Sequence, residues 1–349
     1  LFATEPGRGA PASINFVSCH DGFTLTDLTR YRSKHNEANG ENNNDGSSVN
    51  HSANFGVEGV TDDPDVIAAR EQAAMNMIGM LLLSLGTPMM LAGDEFRNTQ
   101  DGNNNAYCQD NDITWLKWDW MYSTNKTREM RRLETVSRLV ALRKSLDLYH
   151  HEDFFTRLTQ IGLLKPSSRV QWFLPDGTTP MERDWFDLGV RSFTMRLLSN
   201  SEVDVCIVVN GTADDRTFRL PPDTHWTPKW CSAEINGRRA GHGTQVEECD
   251  LNGDTTVWTQ HVPDASETVL KMVEEVAMQR TESSTENEAD TIKFAMPVTD
   301  HAANGTSSAP RDEVSADMPD APVDDTPDTP VDDNVWTMPA LSITLMKQV

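Results

Sequence analysis

Apolar and polar stretches divide the first hundred residues into a predicted strand, loop, helix and second strand. Residues 14–18 are rich in strand-formers and predict a buried strand. Residues 32–63 are crowded with Asn, Gly, Ser, Asp and His and have no apolar period, which predicts a long irregular loop. A helical pattern over residues 64–85 follows, and a short apolar run over residues 88–92 predicts the second strand.

Polar side chains follow both predicted strands. His20 and Asp21 come after the first strand, and Asp94 and Glu95 come after the second. In α/β folds, and in α/β barrels especially, the carboxyl ends of the strands are where chemistry is done. We therefore expect these four side chains to lie near a functional edge.

The second half of the chain changes from helical to β-rich texture. An amphipathic helix is predicted over residues 126–148, with its stripe at Met130, Leu133, Val136, Val140 and Lys144. Short β-rich runs separated by turn residues then predict an antiparallel sandwich. These runs are 170–174, 193–198, 205–210, 217–220 and a last one within 336–346.

Charge is distributed very unevenly along the chain. Thirty Lys and Arg residues face 54 Asp and Glu residues, a net charge of -24. Residues 281–334 hold 14 acidic and two basic residues, six prolines and one aromatic, so this segment is expected to be a disordered insertion. The negative charge argues against nucleic acid and anionic membrane surfaces as partners, while a neutral or cationic partner remains compatible.

No cofactor, metal or membrane-spanning segment is expected. His35 and His51 lack metal-ligand spacing, and phosphate-loop and dinucleotide motifs are absent. The apolar stretch 75–93 reaches membrane-span length, but Pro88 interrupts it. The cysteines show no tight spacing, which favours a reducing compartment and a cytoplasmic location. They are Cys19, Cys108, Cys206, Cys231 and Cys249.

Several polar and aromatic groups could carry chemistry, and each has a structural alternative. His20-Asp21 could bind and stabilise a polar substrate or simply cap a turn. Asp94 and Glu95 are sequence neighbours on an extended chain and point to opposite faces, so they cannot jointly flank one bond, and structural hydrogen bonding is favoured. Residues 103–105, all Asn, could contact a sugar or satisfy their own loop. The tryptophans favour core packing over sugar stacking. They are Trp115, Trp118 and Trp120.

Five blocks in a fixed order resemble the glycogen-debranching and isoamylase branch of the α-amylase family, glycoside hydrolase family 13. The blocks are SINFVSCHDGFTL at 13–25, KHNEANGEN at 34–42, GVEG at 56–59, GTPMMLAGDEF at 86–96 and GNNNAYCQDN at 102–111. The strong match covers about residues 10–120, and a looser one extends to about residue 187.

The resemblance implies the C-terminal part of a (β/α)8 barrel, strands 7 and 8 with their helices, followed by an antiparallel β-sandwich. The implied domains are the barrel portion over 1–150, the sandwich over 151–280, the acidic insertion over 281–334 and the last sandwich strand over 335–349. The insertion itself departs from the family pattern.

The resemblance also implies roles for individual residues. Asp21 would stabilise the transition state at the cleavage subsite, and His20, Asn104, Asn105 and Tyr107 would bind substrate. The reaction would be retaining hydrolysis of α-1,6 branch linkages in glycogen or limit dextrin. The family's nucleophile and proton donor lie on strands 4 and 5, which have no counterpart here, and the N-terminal carbohydrate-binding module is also missing.

We therefore expect a fragment that begins at Leu1, is inactive alone and is prone to aggregate or to be partly molten. Two alternatives remain open. One is an isoamylase or another α-glucan hydrolase of the same family, with chain-length preference set by the loops at 32–63 and 97–112. The other is a non-catalytic glucan-binding protein. Sequence does not indicate an oligomeric state.

Overall fold

The computed structural model describes residues 9–150, 170–198, 204–222, 225–242, 247–248, 334–340 and 342–348. All of them belong to one compact unit. The acidic segment lies outside the described residues except for Asn334, and so do Cys249 and the predicted boundary after residue 280. The domain limits and the predicted disorder therefore stay predictions.

The N-terminal part is built on two short parallel strands joined through a long helix. Strand β1 (Ile14–Asn15) pairs in parallel with β2 (Thr87–Pro88). Between them lie a short helix α1 (Leu25–Leu28) and the long helix α2 (Pro64–Leu83). The predicted order of strand, loop, helix and strand is confirmed.

Helix α2 begins and ends at identifiable groups. The Asp63 side chain accepts hydrogen bonds from the backbone N–H groups of Asp65 at 3.0 Å and Val66 at 3.4 Å, and Pro64 occupies the first helical position. At the other end, Arg143 donates to the carbonyl oxygens of Leu82, Ser84 and Gly86. A cation at a helix C-terminus satisfies carbonyls that have no partner inside the helix. The helix therefore ends at Leu83, two residues before the predicted end at residue 85.

The prediction that the first strand is buried is wrong. Ile14 and Phe16 expose 61% and 53% of their surface, and only two residues on each strand are paired. In the described part of the chain β1 has one neighbour, β2, so its other edge and one face have nothing packed against them. Burial depends on those neighbours and not on the apolar run alone.

Helix α3 (Arg128–Ser145) follows, with the Thr127 side chain accepting the Met130 N–H at 3.2 Å. Its buried positions are Arg132, Thr135, Val136 and Leu139. The helix is confirmed, but Lys144 is exposed and does not belong to the buried face. The centre of that face is an arginine, which a hydrophobic stripe cannot reveal.

The second part consists of antiparallel sheets, as predicted. A five-stranded sheet has the order β3-β4-β5-β12-β7, a three-stranded sheet has the order β6-β11-β9, and β8 pairs with β10. The strands are β3 (Val170–Phe173), β4 (Ser192–Leu197), β5 (Val205–Asn210), β6 (Arg216–Arg219), β7 (Trp226–Cys231), β8 (Arg238–Arg239), β9 (Gly241–His242), β10 (Glu247–Glu248), β11 (Val335–Met338) and β12 (Ser342–Gln348).

The five-stranded sheet contributes side chains to two cores. Because side chains alternate along a strand, Val205 and Ile207 of β5 join a core shared with α2 and α3. Cys206 and Val208 point the other way, into a core that includes Phe218 of the three-stranded sheet. The middle layer therefore holds the α/β part and the second sheet together.

Helix α2 is long and apolar enough to cross a membrane by length and hydropathy, and among the described helices it alone meets that test. Half of its most apolar window is buried inside the protein. Burial against the sheet accounts for its composition without a lipid environment.

Gly79 allows α2 to lie directly on the sheet, and this contact can be tested. A Cβ at Gly79 would lie 2.8 Å from Cη2 of Trp230, a ring with no exposed surface. Overpacking of this kind costs about 1–3 kcal/mol, and the better helix propensity of Ala offsets at most about 1 kcal/mol. We therefore expect Gly79→Ala to lower the free energy of unfolding by about 1 kcal/mol, measured by urea denaturation.

Met80→Ala provides the control, because Met80 is half exposed on the same helix and its loss should change stability by less than about 0.5 kcal/mol. Equal stability of Gly79→Ala and the wild type would contradict the close contact.

Candidate functional site

A cleft of about 350 Å³ lies where the chain leaves β1. Asp21 lines it from the segment after β1, and Asn104 and Asn105 line it from the segment after β2. The loop around Gly46 to Asn50 forms a further wall. The cleft thus forms at the carboxyl ends of the two parallel strands, where the sequence predicts a functional edge.

His20 and Asp21 project from this edge. The His20 Nε2 atom lies 3.4 Å from Asp21 Oδ2, and the two side chains are 86% and 76% exposed. A carboxylate with this exposure is accessible to a ligand. The carboxylate of a residue that only caps a turn would instead accept hydrogen bonds from backbone N–H groups. The structure therefore brings the two predicted residues together in an accessible position.

Asp94 occupies a very different environment from Asp21. It is 2% exposed, and it accepts hydrogen bonds from the Ser18 hydroxyl and, at 2.9 Å, from the Leu25 N–H. Burial raises the pKa of Asp94 to about 6, and the two hydrogen bonds and Arg132 oppose only part of that effect. The carboxyl of Glu95 accepts the Gly93 N–H at 2.8 Å. The structural role favoured for this pair is confirmed in both cases, but the premise of an extended chain is wrong, because Asp94–Phe96 forms a short 3-10 helix.

A buried ion network lies beneath the strand ends. Glu71 of α2 meets Arg132 Nη2 of α3 at 2.8 Å and Arg97 Nε at 2.7 Å. Burial opposes the charge on Glu71, yet the two guanidinium groups hold its pKa below its usual range. Arg132 also donates to Thr26 at 3.2 Å. The network ties both helices to the segments that carry the cleft.

The predicted irregular loop is held by specific polar contacts. Lys34 Nζ donates to the carbonyl oxygens of Asn44, Asp45 and Gly46 at 2.9–3.1 Å. The Glu58 carboxylate accepts the backbone N–H groups of Arg32 and Ser33. Although partial burial opposes its charge, these bonds and those from Asn54 and His35 lower the pKa of Glu58 to about 2. The loop is therefore a defined wall of the cleft.

Asn104 connects this loop to the strand ends. Its Oδ1 accepts from Asn36 Nδ2 at 2.8 Å, and its Nδ2 donates to Ser47 O at 2.8 Å and Asn50 Oδ1 at 2.5 Å. Its backbone carbonyl accepts the Gly22 N–H at 3.0 Å. The sequence left two roles open for this asparagine run, contacting a sugar or hydrogen-bonding within its own loop. In this structure the side-chain amide of Asn104 hydrogen-bonds within the loop.

The other predicted binding residues, Asn105 and Tyr107, differ in their relation to the cleft. Asn105 lines the cleft, while Tyr107 is 77% exposed on the same loop. The substrate-binding roles of His20, Asn104, Asn105 and Tyr107 stay predictions, as does the catalytic role of Asp21.

The tryptophans divide between packing and exposure. The rings of Trp118 and Trp120 lie 4.8 Å and 5.2 Å from the ring of buried Phe96, as core packing predicts. Trp115 is half exposed, and its Nε1 donates to Asp110 at 2.8 Å. Among the described residues no group of three or more His, Cys, Asp or Glu side chains could hold a metal ion.

Sequence reasoning missed Asn36, Glu71 and Arg132, which support the site without lining it. Local sequence does not single out Glu71 or Arg132, because the buried positions of their helices also include other polar residues, Arg70 in α2 and Thr135 in α3. Nothing local distinguishes Asn36 from the other asparagines of the loop.

Known proteins are similar to this chain over part of its length. Over 190 residues the chain is 45% identical to the glycogen operon protein GlgX homolog of Mycobacterium tuberculosis strain H37Rv. This match covers 54% of this chain and 26% of that protein. Over 242 residues it is 38% identical to the glycogen debranching enzyme of Pectobacterium atrosepticum, covering 69% and 34% respectively. The resemblance to the glycogen-debranching branch of the α-amylase family is confirmed for the part of the chain that is covered.

The chain spans about a quarter to a third of the length of these relatives. Among solved structures, a pullulanase from Anoxybacillus sp. LM18-11 in complex with maltotetraose matches with a TM-score of 0.41 and 17% identity, over 68% of this chain and 26% of that chain. No protein-family model matches the chain.

The raised pKa of Asp94 predicts a specific pH dependence. Between about pH 3.8 and pH 6 the folded protein binds a proton at Asp94 that the unfolded chain releases, so this group's contribution to stability falls as pH rises through the window. In the wild type we expect this group to lower the free energy of unfolding by on the order of 3 kcal/mol across this window, and Asp94→Asn should remove that decline. The measurement is urea unfolding from pH 4 to pH 8.

Asp62→Asn changes an exposed carboxylate and should leave the wild-type pH profile unchanged. Parallel profiles for Asp94→Asn and the wild type would show that Asp94 is not perturbed.

Gly46 gives a test of the loop wall. Its φ is +79°, and a Cβ there would lie 2.5 Å from Asn36 Nδ2 and 2.9 Å from Asn105 Cβ. Gly40 has a similar φ of +84° but open space around it. Both Ala variants carry the left-handed strain of about 1 kcal/mol, so only Gly46→Ala should also displace the Asn36–Asn104 pair and speed proteolysis within residues 34–54. Equal cleavage rates for the two variants would refute this packing.

Proposed function

We propose that this chain is the C-terminal portion of an α-glucan debranching hydrolase, with Asp21 at the cleavage subsite. The observation that carries the proposal is the exposed Asp21 in a cleft at the carboxyl ends of two parallel strands, within a sequence block that resembles the glycogen-debranching branch of the α-amylase family. The chain is also 38% identical to a glycogen debranching enzyme over 242 residues. The reaction would be retaining hydrolysis of α-1,6 branch linkages in glycogen or limit dextrin. Isoamylase-type specificity within the same family is the alternative.

In this proposal β1 and β2 are strands 7 and 8 of a (β/α)8 barrel. Their parallel pairing and the connecting helix α2 support it, since parallel neighbours need a crossover of this kind. A groove of about 540 Å³, lined by Phe16 of the β1 segment and Met80 of α2, runs along the outer side of the pair. Barrel neighbours supplied by a longer polypeptide would cover this apolar side.

The chemistry assigned to Asp21 is electrostatic. Glycoside cleavage passes through an oxocarbenium-like transition state, which an exposed carboxylate stabilises by its negative charge. His20, 3.4 Å away, would donate a hydrogen bond to the same sugar. A retaining reaction also needs a nucleophile and a proton donor. Of the two carboxyls that follow β2, Asp94 is buried and Glu95 accepts the Gly93 N–H at 2.8 Å, which supports a structural role for both. We therefore propose that the chain alone is inactive.

The cytoplasmic location stays a prediction. A neutral α-glucan suits the net charge of -24, which disfavours anionic partners.

Reducing-sugar release from glycogen tests the proposal. Two proteins are compared, the chain as given and the chain extended upstream in its own gene. We expect activity only in the extended protein, and Asp21→Asn should lower its kcat/KM by about 10²–10³-fold or more. Asp62→Asn, a change at an exposed carboxylate outside the cleft, serves as the matched control.

Activity of the extended protein that survives Asp21→Asn would remove Asp21 from the reaction. Binding of glucan without activity in either protein would instead favour the non-catalytic glucan-binding alternative.

A further inference from the structure

A single carboxylate holds both ends of the segment that carries His20 and Asp21. Asp94 Oδ2 accepts the Ser18 hydroxyl, and Asp94 Oδ1 accepts the Leu25 N–H at 2.9 Å. The six residues between these two contacts form the turn that leaves β1 and enters α1. The two oxygens of one side chain thus set the distance between the ends of this turn.

The other supports of the turn come from the same stretch of chain as Asp94. The Gly22 N–H donates to the Asn104 carbonyl at 3.0 Å, and the Thr24 hydroxyl donates to the Asn98 carbonyl at 3.1 Å. Both partners are backbone carbonyls, which no substitution removes. Among these three hydrogen-bond partners of the turn, Asp94 is therefore the one that acts through its side chain.

Asp94 is itself fixed from below. Its backbone carbonyl lies 3.5 Å from Nη1 of Arg132, which is fully buried and paired with Glu71 at 2.8 Å. The Glu71–Arg132 ion pair thus lies directly beneath the residue that holds the turn.

We propose that Asp94 is a positioning residue for the reaction: through Ser18 and Leu25 it holds the Asp21 carboxylate at the cleavage subsite without touching substrate. This inference rests on the proposed function for its kinetic consequence. Transition-state stabilisation is steep in geometry, and a displacement of about 1 Å can cost on the order of 10²-fold in rate. Binding by the rest of the cleft is less sensitive to the turn, so kcat should fall with little change in KM.

The choice of variants follows from the hydrogen bonds. In Asp94→Asn the amide oxygen can accept the Leu25 N–H while the amide NH2 donates to Ser18 Oγ, so the turn is held as in the wild type. Asp94→Ala leaves both groups without a partner. Asp204→Ala is the matched control, because Asp204 is also buried and accepts from Arg196 Nε at 2.9 Å and Nη2 at 2.6 Å next to strand β5, in the antiparallel sheet and not in the turn.

The first measurement uses the chain as given and needs no activity. Cys19 lies in the turn, partly buried, with its Sγ donating to the Asp21 carbonyl at 3.3 Å, while Cys108 is exposed on another loop. Alkylation with iodoacetamide is followed residue by residue with mass spectrometry. We expect Asp94→Ala to speed labelling of Cys19 about tenfold relative to Cys108, and Asp94→Asn and Asp204→Ala to leave the ratio within about twofold.

The second measurement is steady-state debranching by the extended protein, well below its melting temperature. Asp94→Ala should lower kcat by about 10-fold to 100-fold with KM changed less than about threefold, and Asp94→Asn should restore most of the rate. Should Asp94→Ala fail to fold, Ser18→Ala removes one of the two contacts and should show the same pattern at smaller size.

The outcomes separate the two proposals. Equal Cys19 labelling in Asp94→Ala and Asp204→Ala, or equal kcat losses in these two variants at equal melting temperatures, would overturn the positioning role and leave the function standing. Faster Cys19 labelling in a protein whose activity survives Asp21→Asn would support the hold on the turn and overturn its link to catalysis.

Discussion

The packing of α2 against the five-stranded sheet is the contact on which the rest of the structure depends. Strands β1 and β2 pair over two residues each, which is too little to be stable by itself. They keep their places because α2 joins them and is anchored on Trp230 and Ile343 of the sheet, next to Gly79. The geometry of the cleft therefore depends on the core that α2 shares with the sheet.

Charge pairs inside this framework do a different kind of work from the apolar contacts. The apolar core is not directional, whereas the Glu71, Arg97 and Arg132 group fixes the angle between α2, α3 and the segment after β2. Buried ion pairs are weak evidence for net stability, because the cost of removing charge from water is large. Their value here lies in the orientation that they impose on the strand ends.

The sequence predicted the elements better than their surroundings. Helix α2 was visible from the helical pattern over residues 64–85, and strands β3 to β6 of the sandwich from β-rich runs separated by turn residues. The burial of β1 was wrong because it depends on neighbours that a local pattern does not encode. Strand β7 was missed because Pro228 lies within it, a residue tolerated there because β7 is the edge of its sheet and its register shifts at that point.

The site was predictable in its exposed part and not in its supports. The motif around His20 and Asp21 identified the residues that meet the cleft, and the asparagine run marked Asn104. The partners that fix them are separated by long stretches of chain, as Asn36 is from Asn104 and Glu71 from Arg132. Such pairs are set by tertiary structure, since each partner has an unremarkable local sequence.

The position of β12 in its sheet has a consequence for synthesis. It lies between β5 and β7, yet the 110 residues from 232 to 341 separate it from β7. Loop closure over this length adds little to the equilibrium cost, because the entropy grows only with the logarithm of length. A ribosome adding about 5–20 residues per second needs about 5–20 s to deliver that strand. During this interval β5 and β7 each present an open hydrogen-bonding edge. To avoid pairing with strands of other chains, the nascent chain then depends on chaperones or on rapid synthesis and folding of β12.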